Sequence, residues 1–446
     1  MPRKRQSSDI QRGGTLFGHD EAMTSQLLAD LEWRGLIAQT TDREELTKDL
    51  NAKPIKFYIG FDPTAPSLHV GNLVVILVMR RFQLAGHLPI ALVGGATGLV
   101  GDPSGRNEER TLNDESIVEQ WVGNFRSQLE RFLDFGSGKN AAVMANNLDW
   151  TKPVSALEFL RDIGKHFSVN QMLAKDSVAS RLESGGISYT EFSYQVLQAF
   201  DYLELYRRDN CKLQLGGSDQ WGNIVAGLDL IRKVEGGSAH AFTIPLMAKS
   251  DGSKFGKTAG GSVWLDPEMT SPYAFYQFWF NTEDADIEKY LKVFSFKDRV
   301  ELERLIEAVK SNPGAREAQR ELARELTAMV HGTDQSEKVE AASSALFGQG
   351  DLSSLDEKTL AAALSQLPKV SIKKNEPFPT WVDLLAATGV VESKSAARRI
   401  VKENGAYLNN EKISGEDFAP TTDHLIHGRF LVLRKGKRDL AAVEVL

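Results

Sequence analysis

The stretch from Ile55 to Leu84 does most to limit the folds open to this chain. An apolar run, Ile55 to Phe61, is broken by Asp62-Pro63, and Pro66-Ser67 then leads into a second apolar-rich segment, Leu68 to Leu84. The pattern predicts a buried strand, a tight turn and a helix whose first turn carries His69, Gly71 and Asn72. His69 and Asn72, three apart, share a helix face. Gly71 leaves room between them for a flat ligand. Free N–H groups and the positive dipole end at that helix start favour an anion, most of all a phosphate.

Two further apolar strands end in glycine-rich sequence. Gly94-Gly-Ala-Thr-Gly-Leu-Val-Gly-Asp-Pro-Ser-Gly105 follows the run at 89–93, with glycines 95, 98 and 101 three apart. A dinucleotide fingerprint needs spacings of two and then three, so a nicotinamide or flavin enzyme is disfavoured. Asp102, fixed between Gly101 and Pro103, is suited to hold a cation such as a substrate ammonium. Gln214-Leu-Gly-Gly-Ser-Asp-Gln-Trp-Gly-Asn223 repeats the logic with Asp219 and Gln220. Each loop alone could be a plain turn. Three such strand ends, after 61, 93 and 215, favour one shared crevice at the carboxyl edge of a parallel sheet.

Tyr194, Gln198 and Asp201 fall at i, i+4 and i+7 on a helix whose neighbours Phe192, Val196, Leu197, Phe200 and Leu203 are apolar. An internal hydrogen-bond network and a polar-ligand pocket account equally well for that stripe. Asp251-Gly-Ser-Lys254-Phe-Gly-Lys257-Thr258 falls one residue short of a P-loop. Its two lysines, three apart on a glycine-rich loop, can still clamp a polyphosphate as point charges, although such a pair alone usually marks a solvated turn.

Composition frames these motifs. Lys plus Arg number 53 against 60 Asp plus Glu, a net charge of −7 that argues against wholesale coating of nucleic acid. The lone Cys211 excludes an internal disulfide and fits a reducing compartment. Neither a signal peptide core nor a bilayer-length apolar run is present. A soluble, cytoplasmic enzyme is expected. Residues 1–23 read as a mobile leader, 24–262 as an α/β catalytic domain, 263–352 as an α-helical domain, 353–376 as a linker with some helix and 377–446 as a small separate module. In that module Lys394, Arg398, Arg399 and Lys402 recur at near-helical spacing, with 10 basic and 9 acidic residues over 378–446. The clustering suits phosphate contact along structured RNA; a solvated helix face is the plain alternative.

Taken together, these residues resemble a known family. Phe61-Asp-Pro-Thr-Ala-Pro-Ser-Leu-His-Val-Gly-Asn is similar to the HIGH motif of class I aminoacyl-tRNA synthetases, and Lys254-Phe-Gly-Lys-Thr to their KMSKS motif. The order of the motifs, with the C-terminal module, resembles bacterial tyrosyl-tRNA synthetases. The resemblance implies a Rossmann-like parallel-sheet catalytic domain, an α-helical domain and a small α+β RNA-binding domain. It implies a homodimer acting on L-tyrosine, on ATP with Mg²⁺, and on tRNA(Tyr), with no tightly bound cofactor or structural metal.

The family's roles carry over by position. Tyr58 and Asp201 would bind the phenol hydroxyl, Asp102, Tyr194 and Gln198 the α-ammonium, and Gln220 would lie near the reacting carboxylate. Asp62, Thr64, His69, Gly71, Asp219, Lys254 and Lys257 would contact ATP, with His69, Asn72, Lys254 and Lys257 as catalytic groups. Lys394, Arg398, Arg399 and Lys402 would meet RNA. Two positions depart from the commonest pattern. Asn72 replaces the final His of the first motif, and Ile59 stands where many relatives carry a ribose-touching Cys. The alternatives are tryptophanyl-tRNA synthetase, where the Asn-ending motif is common, and a catalytically silent RNA-binding relative.

Overall fold

The computed structural model describes residues 24–104, 114–258, 261–374 and 376–446. The expected leader, 1–23, and Gly105 lie outside the described residues. Two compact units are present. One runs to Asp266 and takes in Asp284–Ser311; the other comprises Pro267–Glu283 and Asn312–Leu446.

The first unit is built on a six-stranded sheet of β1 (Gln39–Thr40), β2 (Lys56–Phe61), β3 (Leu88–Val93), β4 (Val143–Asn146), β5 (Cys211–Gly217) and β6 (His240–Ile244). Their order across the sheet is β1-β6-β5-β2-β3-β4. All pairs are parallel except the short β1 against β6. Continuous apolar runs suit strands covered on both faces, and every residue of β6 and all but the first of β3 are buried. From β2 the chain winds through β3 to β4 on one side, then returns to place β5 and β6 on the other. The carboxyl ends of β2 and β5 therefore flank a topological switch point, where open parallel sheets bind ligands. The three strand ends singled out in the sequence belong to adjacent strands, with Tyr58 level with Ile90 on one side and Gln214 on the other.

Helices connect the strands. Val70–Leu84 buries Leu73, Ile76, Leu77 and Phe82, and Tyr189–Asp209 buries Tyr194, Ala199, Asp201 and Tyr202. The short pair β7 (Lys257–Thr258) and β8 (Gly261–Ser262) shapes the lysine loop.

In the second unit, helices at Pro272–Phe280, Glu317–His331 and Thr333–Leu346 precede a five-stranded sheet. Its strands are β9 (Lys369–Ile372), β10 (Ala406–Leu408), β11 (Glu411–Lys412), β12 (Phe430–Lys435) and β13 (Asp439–Val445), in the order β11-β10-β12-β13-β9. Trp381, Leu385, Ala397 and Leu433 belong to its core. Among the described residues, no helix is long and apolar enough to cross a membrane.

The structure departs from two expected boundaries. The helices Asp284–Phe294 and Arg299–Ser311, expected within a helical domain at 263–352, group with the sheet unit instead. Phe294 stacks on Phe255 of the lysine loop at 5.4 Å between ring centroids. Helical periodicity reports that a helix has an apolar face, not which core that face meets. The expected linker with some helix, 353–376, holds the helix Glu357–Leu364 and, beyond the expectation, strand β9, which pairs in parallel with β13. As an edge strand with alternating exposure, Lys-Val-Ser-Ile reads as a polar connector in sequence.

Candidate active site

At the carboxyl end of β2, the Asp62-Pro63-Thr64 turn is closed by the Thr64 N–H donating to the Asp62 carbonyl at 2.9 Å. Val70–Leu84 then begins with His69 as its N-cap. The His69 Nδ1 accepts the Gly71 N–H at 3.0 Å, and the Asn72 Oδ1 accepts the His69 N–H at 3.1 Å. Two helix-start donors are thus satisfied reciprocally. An accepting Nδ1 leaves the proton on Nε2, which can be offered to an anion. Burial, and secondarily Lys257, hold the His69 imidazole below its usual pKa, in the neutral form.

Gly71 also has a role within the protein. A Cβ there would stand 2.7 Å from His69 Cε1 and 2.9 Å from Nδ1, so the missing side chain makes room for the imidazole ring. Asn72 likewise acts through its acceptor oxygen, as the partner of the histidine cap.

The lysine loop is pinned beside this helix start. The Gly256 carbonyl accepts from Val263 N–H, and the Val263 carbonyl from Val70 N–H. Gly256 has φ +78°, and a Cβ on it would meet Val70 Cγ2 at 2.8 Å. Phe255 is buried against Tyr290 and Phe294. Lys254 and Lys257, on either side of this anchor, stay exposed.

Deeper in the crevice lies a buried polar network. Tyr194 donates its hydroxyl to Asp62 Oδ2 at 2.6 Å, and Thr97 donates to Asp62 Oδ1 at 2.7 Å. Asn147 Nδ2 reaches both Thr97 Oγ1 (2.9 Å) and Asp201 Oδ2 (3.0 Å), and Trp150 Nε1 donates to Asp201 Oδ1 at 2.8 Å. Burial pushes the Asp201 carboxyl up to about 7 despite these two donors. Tyr58 is 1 % exposed, and its hydroxyl has no hydrogen-bond partner. Burial, with Asp201 next in importance, raises its pKa well above the usual range, so it remains a phenol. Gln198 Oε1 and Gln214 Oε1 are also buried without partners. An unmade hydrogen bond of this kind costs roughly 1–3 kcal/mol. Three in one region mark a site that is completed by a polar ligand.

At the rim, Gln220 Nε2 donates to Asp102 Oδ2 at 2.7 Å, and Asn223 Nδ2 donates to Gln220 Oε1 at 3.2 Å. Burial, then Asp102, raises the Asp219 carboxyl.

Residues 50–348 match the family of tRNA synthetases class I (W and Y), and residues 359–443 match the tyrosine–tRNA ligase SYY-like C-terminal domain. The chain is 62% identical to a tyrosine–tRNA ligase of Streptomyces coelicolor over 94% of its own length and 99% of the relative's. The chain belongs to the tyrosine–tRNA ligase family. A tyrosine–tRNA ligase of Mycobacterium leprae is 54% identical over 95% of this chain and 100% of that protein. Among solved structures, a C-terminally truncated mitochondrial tyrosyl-tRNA synthetase of Aspergillus nidulans aligns with a TM-score of 0.66 and 30% identity. The match covers 73% of this chain and 98% of that one. The tryptophanyl and catalytically silent alternatives are not favoured by these relatives.

Within this tyrosine–tRNA ligase family member, Asn147 and Trp150 carry no sequence signal, and Thr97 and Gln214 lie in the motifs without a role assigned to them. Asn147 and Trp150 follow the end of β4, a fourth strand end without the proline-marked turn or glycine-rich sequence that marks the other three. Gln214 sits mid-strand among apolar residues, where a buried polar side chain is itself a signal.

The C-terminal helix Lys394–Lys402 has exposed basic residues that all meet acids. Lys394 pairs with Asp383 (2.6 Å), Lys402 and Arg398 with Glu416 (3.2 and 3.8 Å), and Arg399 with Glu403 (3.9 Å). Exposed pairs of this kind are worth little and exchange readily for phosphate.

Proposed function

We propose that this enzyme activates L-tyrosine with ATP and transfers it to the 3′-terminal adenosine of tRNA(Tyr). The observation that carries the reading is the unpartnered, buried Tyr58 hydroxyl beside the Asp201 carboxylate, in a chain 62% identical to a tyrosine–tRNA ligase. A phenol can accept from Tyr58 and donate to Asp201; phenylalanine leaves both unmet. Tyr194 spends its proton on Asp62, so its oxygen lone pairs face outward as acceptors for an ammonium, together with Asp102 and Gln198 Oε1. Gln220 is then near the carboxylate.

In the first step a tyrosine carboxylate oxygen bonds to the α-phosphorus of ATP, and the bridge to the β-phosphate breaks. Tyrosyl-adenylate and pyrophosphate result. The nucleophile is already an anion, so no general base is required. Catalysis then rests on in-line placement and on neutralising the leaving group. His69 Nε2–H, Lys254 and Lys257 are the donors for that charge, with Thr64, Asp62, Gly71 and Asp219 lining the nucleotide's path and Asn72 fixing the histidine. Mg²⁺ arrives with the ATP phosphates and neutralises part of their charge. The basic face of Lys394–Lys402 contacts tRNA phosphates.

Exposed apolar residues support a homodimer. Leu157, Leu160, Val169 and Tyr189 are 54–80 % exposed on the sheet unit, a surface suited to a second copy. Leu160→Asp should then shift the chain towards monomer in sedimentation. A cytoplasmic location fits the bacterial relatives. ATP–pyrophosphate exchange with tyrosine, tryptophan and phenylalanine in turn tests the main reading. Exchange strongly preferring tyrosine is expected; a tryptophan preference, or none with any of the three, would overturn it.

A further inference from the structure

The far end of the sheet holds a second cavity. Pro54, Gly86 and Asn140 precede β2, β3 and β4, and there they border a cleft of about 830 Å³. The active-site crevice opens at the carboxyl ends of the same strands. The cleft's volume lies within the range of small-molecule sites.

Its frame is rigid. Gln83, 2 % exposed, donates to the carbonyls of Asp134 (2.8 Å) and Asn140 (3.1 Å) and accepts the Asp134 N–H at 3.0 Å. Asn140 Nδ2 returns a bond to the Gln83 carbonyl at 2.6 Å. The loop 134–140 is thereby clamped at both ends to the end of the helix Val70–Leu84. Leu84, Phe132, Leu133 and Phe135 contribute an apolar wall.

The charges on this frame are unequal. Arg80 is half-buried, and its guanidinium donates to the neutral Gln83 Oε1 at 3.1 Å. Among the described residues it forms no ion pair. Burial disfavours its charge, and nearby Asp134 only partly offsets this. The Asp134 Oδ1 is taken by the Gly136 N–H at 2.8 Å, and Glu130 pairs with Arg126. Lys139 lines the same cleft, exposed and unpaired among the described residues, and Arg131 adds a third cation to the wall. A partly buried cation whose burial is only partly offset is stabilised when an anion joins it.

We propose that this cleft is a binding site for a phosphomonoester carried on a flat apolar body, with Arg80 and Lys139 gripping the phosphate. Two cations lining one cleft match a doubly charged phosphate better than a single carboxylate, and the guanidinium offers it a fork of donors. The Phe132–Phe135 wall takes the apolar part. The site is separate from that for ATP.

The test is calorimetric titration of the full chain with phenyl phosphate, inorganic phosphate and phenol. The active site is first filled with tyrosyl-adenylate made in place from tyrosine and ATP. Phenyl phosphate should bind once per chain, more tightly than inorganic phosphate, and phenol should not bind. Arg80→Gln and Lys139→Glu should each weaken phenyl phosphate at least tenfold while leaving pyrophosphate exchange intact. Thermal unfolding separates a misfolded Arg80 variant from a loss of binding, and the exposed Lys139 gives an independent reading. No binding, equal binding by both variants, or binding abolished by the adenylate would each overturn the proposal.

Discussion

At the scale of single residues, the pocket trades stability for selectivity. The Tyr58 hydroxyl is buried and unpaired in the free protein, which disfavours folding by roughly 1–3 kcal/mol. Tyr58→Phe should therefore hold or raise the unfolding temperature while narrowing the preference for tyrosine over phenylalanine in pyrophosphate exchange. A variant that is both less stable and equally selective would show that the hydroxyl has another partner. Asp201 carries the complementary pH dependence. Its carboxyl protonates at about 7, because burial outweighs the Asn147 and Trp150 donors. Only the ionised form accepts a phenol proton through either oxygen. As pH falls from 8 to 6, KM for tyrosine should rise and that for phenylalanine should stay level; parallel behaviour of the two would exclude Asp201 from the phenol contact. Of this chemistry, the stripe Tyr194, Gln198, Asp201 was legible because helical spacing alone places three polar groups on one face. The donors that hold Asp201 were not, since Asn147 and Trp150 reach it from a different strand end and no local pattern links them.

At the scale of elements, the informative unit is strand, turn and helix from Lys56 to Leu84. Its existence follows from apolar runs and a proline-marked turn, and the helix start was legible to within a residue. What the pattern could not convey was that the cap is the histidine itself. Asn72 had looked like a departure at a reacting position, and the structure makes it the acceptor that closes a reciprocal cap with His69. The same geometry dictates Gly71, whose missing Cβ is the space occupied by the imidazole. Gly71→Ala must push the ring aside or break the Gly71 N–H bond to Nδ1. A displacement on the ångström scale at a group facing the leaving phosphates costs about 100-fold in rate. Stopped-flow adenylate formation should fall by that order, with tyrosine affinity nearly unchanged. A wild-type rate would mean that His69 does not act through this orientation.

At the scale of the whole molecule, the parallel sheet was legible because fully covered strands read as continuous apolar runs, whereas its switch point depends on a strand order that no local pattern carries. The domain boundaries were less so, since they depend on contacts between segments far apart in sequence. Strand β9 is the sharpest case. It lies within a stretch that resembles a linker, yet it completes the C-terminal sheet through pairs from Lys369↔Ala442 to Ile372↔Val445. Further bonds run from Ala442 N–H to the Pro368 carbonyl and from Lys374 N–H to the Leu446 carbonyl. The C-terminal family match beginning at residue 359 agrees with this wider boundary. Without β9, the long strand β13 presents an unpaired edge on a small sheet, the arrangement that favours aggregation. A fragment spanning 357–446 should therefore unfold cooperatively and remain monomeric, whereas 377–446 should lose its sharp thermal transition or aggregate. Equal melting of the two fragments by circular dichroism would show that β9 is dispensable and return 353–376 to the role of a connector.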